Sequence, residues 1–121
     1  MKQDHITARF GGRDVTLKIR RDMIERYGEM LGLPAQLYAQ YTRLASGQWT
    51  IEDVRAPILA GLAGANGNWP IHHIATVDAV LRRNGPGHYV GLAARVIEAA
   101  LFGVDDAGAH WNEDAILGEA A

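Results

Sequence analysis

The sequence has no cysteine, two lysines and one serine among its 121 residues, and these shortages exclude several kinds of chemistry. Without cysteine there can be no disulfide, zinc ribbon or thiol nucleophile. Neither Lys2 nor Lys18 follows a glycine-rich loop, so the chain has no phosphate-binding lysine of the P-loop kind. Ser46 lies in a predicted helix-ending turn, which is not the strand-to-helix turn that presents a nucleophilic serine.

Long apolar runs are also missing. No run approaches the ~18 residues of a membrane span, and the first ten residues are polar, so we expect a cytoplasmic protein without a membrane segment. Apolar residues nevertheless make up 48% of the chain, which is enough for one packed domain. We place that domain in residues 1–103.

Basic residues are absent after Arg95, where several acidic residues follow. We therefore predict that residues 104–121 form an acidic, flexible C-terminal tail. An acidic tail is poorly matched to nucleic acid, because neutralisation of phosphates dominates that affinity. The tail could be a solvated segment or could engage basic segments of a partner.

Alternating apolar residues predict an antiparallel β-hairpin near the N-terminus. Every second residue is apolar between residues 6 and 10, and again between 15 and 19, after the pair Gly11–Gly12. A two-residue turn of this kind needs positive φ at both glycines. Pairing Phe10 with Arg13 places apolar residues together on one face and polar residues on the other. Two strands alone are marginally stable, so the apolar face must pack on helices or on another chain.

Apolar residues then recur at helical spacing in five further segments. The predicted fold class is α+β, mainly α, with an N-terminal antiparallel β-hairpin packed on four to five short helices. Pro57 is discordant within the third helix, where we expect a kink or a first turn that is not α-helical. The five segments are 22–31, 34–45, 51–62, 70–81 and 92–101.

The joint between the second and third predicted helices carries several consistent signals for helix ends. Gly47 follows an apolar helical stripe, at a position where a left-handed residue commonly ends a helix. Thr50, with Asp53 three residues later, is a variant of the capping box that begins a helix. Trp49 precedes the cap and can pack on Val54 as a hydrophobic staple. These signals predict a structural role for the joint.

The same joint resembles a known family. The run from Ala45 to Arg55, Ala-Ser-Gly-x-Trp-Thr-x-x-Asp-Val-Arg, resembles the central segment of the gene-transfer-agent-type phage tail proteins, a family of small tail assembly chaperones. In that family too, an N-terminal hairpin that runs into a helix precedes this segment, so the resemblance covers residues 5–103. It implies a protein encoded among the tail genes of a phage, a prophage or a gene transfer agent.

The resemblance further implies a function in protein binding, without catalysis or a cofactor. Such a chaperone would cover apolar helical stretches of the tape measure protein until tail-tube subunits polymerise around it. Tyrosines on an exposed stripe could supply the surface, and tryptophans outside periodic stripes are often staples or partner anchors. The candidate partner-binding residues are Tyr38, Tyr41, Trp69, Trp111, Ile116 and Leu117.

Three other functions stay open at this point. A minor structural tail (tube) protein would self-associate by pairing its hairpin edge with neighbouring copies. A small regulatory or nucleic-acid-binding protein could use residues 23–44 as a helix-turn-helix, but its second helix offers only Arg43 as a cation. A metal-dependent enzyme would need His72, His73 and His88 to converge, although adjacent helical residues diverge by ~100°. We therefore predict no catalytic residue, metal, cofactor or nucleic-acid partner.

Overall fold

The computed structural model describes residues 2–20, 37–67 and 71–115, except the side chains of residues 71 and 72. The fold is α+β and mainly α, as the sequence predicts. The predicted first helix, residues 22–31, lies outside the described residues. Short 3₁₀ segments lie at Pro86–Tyr89 and Ala107–Ala109. The main elements are β1 (Ile6–Phe10), β2 (Arg13–Leu17), α1 (Leu37–Ser46), α2 (Ile51–Asn66), α3 (Ile71–Asn84), α4 (Val90–Leu101) and β3 (His110–Asn112).

The N-terminal hairpin has the predicted register. Phe10 pairs with Arg13 and Ile6 with Leu17, so the buried side chains of β1 alternate with half-buried ones. Gly11 and Gly12 have φ of 63° and 75°, the positive values that the two-residue turn requires. The apolar face of the hairpin packs on α2 and α4, which confirms that it is covered by helices.

Helix α2 is the centre of the core, and it contacts β2 and each of the other three helices. Every residue from Ala56 to Gly64 is buried, as expected for a helix with neighbours on all sides. The helix is α-helical from its first residue, so a non-helical first turn is not found, while the alternative expectation of a kink at Pro57 stays a prediction. The physical reason is the capping box, in which the side chains of Thr50 and Asp53 each accept a hydrogen bond from the other residue's backbone N–H. These bonds stabilise an α-helical first turn on the N-terminal side of Pro57.

Two glycines of α2 allow the helix to approach the hairpin closely. A Cβ on Gly61 would lie 2.8 Å from the Cβ of Leu17, and a Cβ on Gly64 would overlap the carbonyl oxygen of Lys18. The backbone N–H of Lys18 donates to the carbonyl oxygen of Gly61 at 2.9 Å. Small residues at these two positions are therefore a packing requirement.

The segment after Gly103 differs from the prediction. The buried Val104 exchanges two backbone hydrogen bonds with Gln3, of 2.7 and 2.8 Å. Strand β3 then pairs parallel to β1, with Thr7 opposite His110, and the sheet order is β2-β1-β3. The expected flexible tail therefore does not begin at residue 104, because residues 104–115 pack on the hairpin. Residues 116–121 lie outside the described part of the chain.

No helix in the described ranges is both long enough and apolar enough to cross a membrane.

Candidate interaction surfaces

An exposed group of large apolar side chains lies where α1 meets the end of α4. We call it the aromatic surface, and it consists of Tyr38, Tyr41, Leu101 and Phe102. Tyr38 is 61% exposed and Phe102 is 56% exposed. The ring of Phe102 lies edge-on to both tyrosine rings, at centroid distances of 6.3 and 6.2 Å. Tyr41 is half-buried against the core and Leu101 is 39% exposed. Exposed apolar side chains that lie together in this way are candidate protein-binding sites.

Local structure accounts for the position of the aromatic surface. Tyr38 and Tyr41 are three residues apart on α1 and therefore project from the same side of the helix. Phe102 is the residue at which α4 ends, and Gly103 follows with φ of 77°. Burial, together with the nearby carboxylate of Glu98, raises the Tyr41 pKa above its usual value. The surface therefore has an acidic group at its rim.

The structure brings together some of the predicted partner-binding residues. Tyr38 and Tyr41 lie together on the aromatic surface, as a shared helical face predicts. Trp111 instead packs on the ring of Tyr89, with a centroid distance of 5.5 Å. Its role as a partner anchor stays a prediction. Trp69, Ile116 and Leu117 lie outside the described residues.

Sequence reasoning missed Phe102 as a member of the aromatic surface and treated Leu101 as a core residue of the fifth helix. Leu101 is 39% exposed, whereas the other large apolar residues of its stripe are buried. The available signal was that Phe102 lies outside the helical stripe, directly before Gly103, which ends the helix.

The outer edge of β2 is a second candidate surface. In a two-residue hairpin the pair that flanks the turn is hydrogen-bonded, so the backbone groups of Asp14 and Thr16 point away from β1. Both residues are exposed, and no other strand among the described residues pairs with β2. The next outward N–H, that of Lys18, is taken by α2. As far as the described part of the chain goes, the edge is therefore open over residues 14–16.

A buried carboxylate ties the C-terminal segment to the hairpin turn, and we call this arrangement the carboxylate anchor. Glu113 is only 4% exposed and accepts hydrogen bonds from the N–H groups of Gly11 and Gly12, at 3.0 and 2.6 Å. It also accepts one from the Tyr89 hydroxyl at 2.8 Å, and that hydroxyl accepts from the Asn84 side chain at 2.7 Å. Burial, reinforced by Glu113, raises the pKa of Tyr89 to about 12.

The joint between α1 and α2 has the predicted geometry. The helix α1 is followed by Gly47 with φ of 80°, and Thr50 and Asp53 form the reciprocal capping box. Asp53 is buried, and Arg43 donates to its two carboxylate oxygens at 3.0 and 2.8 Å. The hydrogen bonds from Arg43 are the main reason that the Asp53 pKa lies below its usual value. Trp49 packs against the core, while its staple contact with Val54 stays a prediction.

The remaining polar side chains of the described ranges do not gather into a metal centre. No group of three or more histidine, aspartate or glutamate side chains in these ranges is arranged to hold a metal ion. An open groove of about 450 Å³ does lie along the polar outer face of the sheet, lined in part by Thr7, Arg9 and His110. What the described geometry offers is surface for binding: an open strand edge, a polar groove and exposed aromatic rings.

Comparison with known protein families identifies a match over most of the chain. Residues 3–103 match the family described as "Phage tail tube protein, GTA-gp10". No curated protein and no solved structure matches the chain. Because the family match spans most of the 121 residues, including the hairpin and helices α1 to α4, this chain belongs to the GTA-gp10 family of phage tail tube proteins.

Proposed function

We propose that this protein is a non-catalytic, minor structural component of a phage-like tail tube, which associates with further copies through the outer edge of β2. The family description supports a tail tube role. The observation that carries the proposal is the open edge, where the outward backbone groups of Asp14 and Thr16 have no strand partner within the described chain.

An open strand edge suits this function for a physical reason. A second strand that pairs with it would satisfy exposed N–H and C=O groups, which otherwise are a site for pairing with another chain. The β2 edge is short, and its exposed side chains are polar, so the protein can stay soluble before assembly. Main-chain pairing of this kind needs no covalent chemistry and no cofactor.

Size-exclusion chromatography with light scattering tests this proposal. The unmodified chain should show masses that are multiples of 13.2 kDa and rise with concentration. Thr16→Pro removes an outward N–H without removing a bond of the hairpin, and should shift the mass to that of one chain. Thr16→Val keeps the N–H and the branched shape, and should associate like the unmodified chain. A constant mass of 13.2 kDa for the unmodified chain would refute the proposal.

A second candidate function is a tail assembly chaperone that binds the tape measure protein. The aromatic surface favours it, because rings that stay exposed in the folded chain are typical anchors for an apolar helical partner. In this case the protein would cover apolar stretches of the tape measure protein before the tube forms.

A binding assay with the tape measure protein from the same gene cluster tests the chaperone function. Phe102→Ala should weaken binding at least tenfold, since it removes the central ring of the aromatic surface. The matched control is Ile51→Ala, because Ile51 is equally exposed at 56% and lies at the start of α2. Equal binding by the two variants would show that the aromatic surface is not the binding site.

A further inference from the structure

The C-terminal segment, residues 104–115, lies beyond the family match but completes the sheet. The match ends at residue 103, whereas β3 begins at His110. Within residues 3–103, the described sheet is only the hairpin, and the outer side of β1 has no partner strand there. The C-terminal segment pairs with residues 7–9 on that side. The segment is thus a cover over a sheet edge that the matched region leaves open.

The cover is held by a few specific contacts. Its main-chain pairing is parallel and spans three residues, which is a short ladder. The carboxylate anchor adds hydrogen bonds from Glu113 to the hairpin turn, and Trp111 packs on Tyr89. On the outer side of β3, Arg95 donates to the carbonyl oxygen of His110 at 3.1 Å. Three backbone pairs join β3 to β1, and two further backbone hydrogen bonds join Val104 to Gln3, so these are the main-chain contacts that must break for the whole cover to leave.

The charged side chains around Arg9 of β1 are compatible with pairing between β1 and β2 of a second copy. Arg9 lies between two aspartates, with Asp14 of β2 at 3.3 Å and Asp114 of the cover at 3.8 Å. If β2 of a second copy paired with the outer side of β1, its Asp14 could take the position of Asp114. A neighbour's β2 therefore offers Arg9 the same kind of partner that the cover provides within the chain.

The chain with the cover in place and the chain without it can form assemblies of different symmetry. In the covered chain β3 is the other edge of the described sheet, but it is only three residues long and its His110 carbonyl accepts from Arg95, so β2 is the edge that can join one other copy in a two-fold pair. A sheet open at both β1 and β2 can join β2 of one copy to β1 of the next, which is a head-to-tail contact and can continue into a ring or filament. Growth beyond a pair thus depends on access to β1.

We propose that the outer edge of β1 is an interaction surface for β2 of a second copy, and that residues 104–115 cover this surface in the single chain. This inference rests on the proposed self-association through β2. It adds that the C-terminal segment must leave β1 before assemblies larger than a pair can form.

A reversible cross-link tests the inference on the full chain. Thr7 and His110 are paired positions whose side chains are hydrogen-bonded, so Thr7→Cys combined with His110→Cys should form a disulfide that locks the cover in place. The chain has no native cysteine, so thiol titration reports this pair alone. The reduced double variant is the matched control for the oxidised one, and the Thr7→Cys single variant controls for oxidation itself.

Light scattering of the two redox states decides the outcome. We expect the reduced variant to form assemblies larger than twice 13.2 kDa, the oxidised variant to stop at that mass, and reduction to restore growth. Equal large assemblies in both states would overturn the role of the cover while leaving self-association intact. A single-chain mass in both states and in the unmodified protein would overturn the proposed self-association, and this inference with it.

Discussion

The contact between Gly64 and Lys18 makes a Gly64→Ala substitution a sharp test of the packing of α2. The added Cβ would overlap a backbone carbonyl oxygen, so no side-chain rotation can relieve the clash. Ordinary C···O contacts begin at ~3.3 Å, so helix and strand must separate by on the order of 1 Å. That movement would also stretch the 2.9 Å hydrogen bond from Lys18 to Gly61.

The expected loss of stability follows from opposing terms. Overpacking a core typically costs about 1–3 kcal/mol, and the weakened backbone hydrogen bond costs about 1 kcal/mol. Replacing a mid-helix glycine by alanine returns about 1 kcal/mol of helix propensity. We therefore expect Gly64→Ala to lower the free energy of unfolding by about 2 kcal/mol, which for a chain of this size lowers Tm by about 8 °C.

Thermal and urea unfolding, followed by circular dichroism, measure this effect. Gly91→Ala is the matched control, because Gly91 is an exposed glycine of α4 whose added Cβ would meet Trp111 at an ordinary distance of 3.6 Å. That variant should be as stable as the unmodified protein or slightly more stable. A Gly64→Ala protein with an unchanged Tm, or equal shifts in the two variants, would refute the close contact.

Three further predictions concern the buried polar groups. Glu113→Gln should lower stability by about 2 kcal/mol, measured by urea unfolding, because it replaces charge-assisted hydrogen bonds to Gly11, Gly12 and Tyr89; an unchanged midpoint would contradict the carboxylate anchor. The hydrogen bonds from Arg43 lower the pKa of Asp53, so its contribution to stability is present above pH 3.8 and is lost as the pH falls through the lower folded-state pKa. Asp53→Asn should therefore reduce the loss of stability at acid pH, measured as the free energy of unfolding against pH. An unchanged loss in this variant would show that the Arg43–Asp53 pair is not its cause. Burial raises the pKa of Tyr89 from 10.0 to about 12, so stability should fall as the pH rises between these values. Tyr89→Phe should remove this fall, which urea unfolding at several pH values between 10 and 12 would measure.

Local sequence determined the hairpin and the helix joint of this protein. The register of β1 and β2 follows from residues at most 11 positions apart, Ile6 and Leu17, and from a turn that only two glycines form easily. The capping box of α2 uses Thr50 and Asp53, which are three positions apart. Over such short separations, side-chain pattern and backbone preference determine the local structure directly. The hairpin and the helix joint could therefore be predicted without knowledge of the rest of the chain.

Tertiary structure alone decided the third strand and the shape of the two candidate surfaces. Thr7 and His110 meet although 103 residues separate them, and a three-residue strand has too little pattern to be recognised in sequence. In the sequence, nothing distinguishes Glu113 from the other acidic residues of the C-terminal segment. The structure shows that the hairpin turn and Tyr89 surround it. Likewise, helical spacing identifies the apolar side of α4, but only the positions of neighbouring helices leave Leu101 and Phe102 uncovered. Contacts between distant segments depend on the whole packed chain, and local preferences carry no information about them.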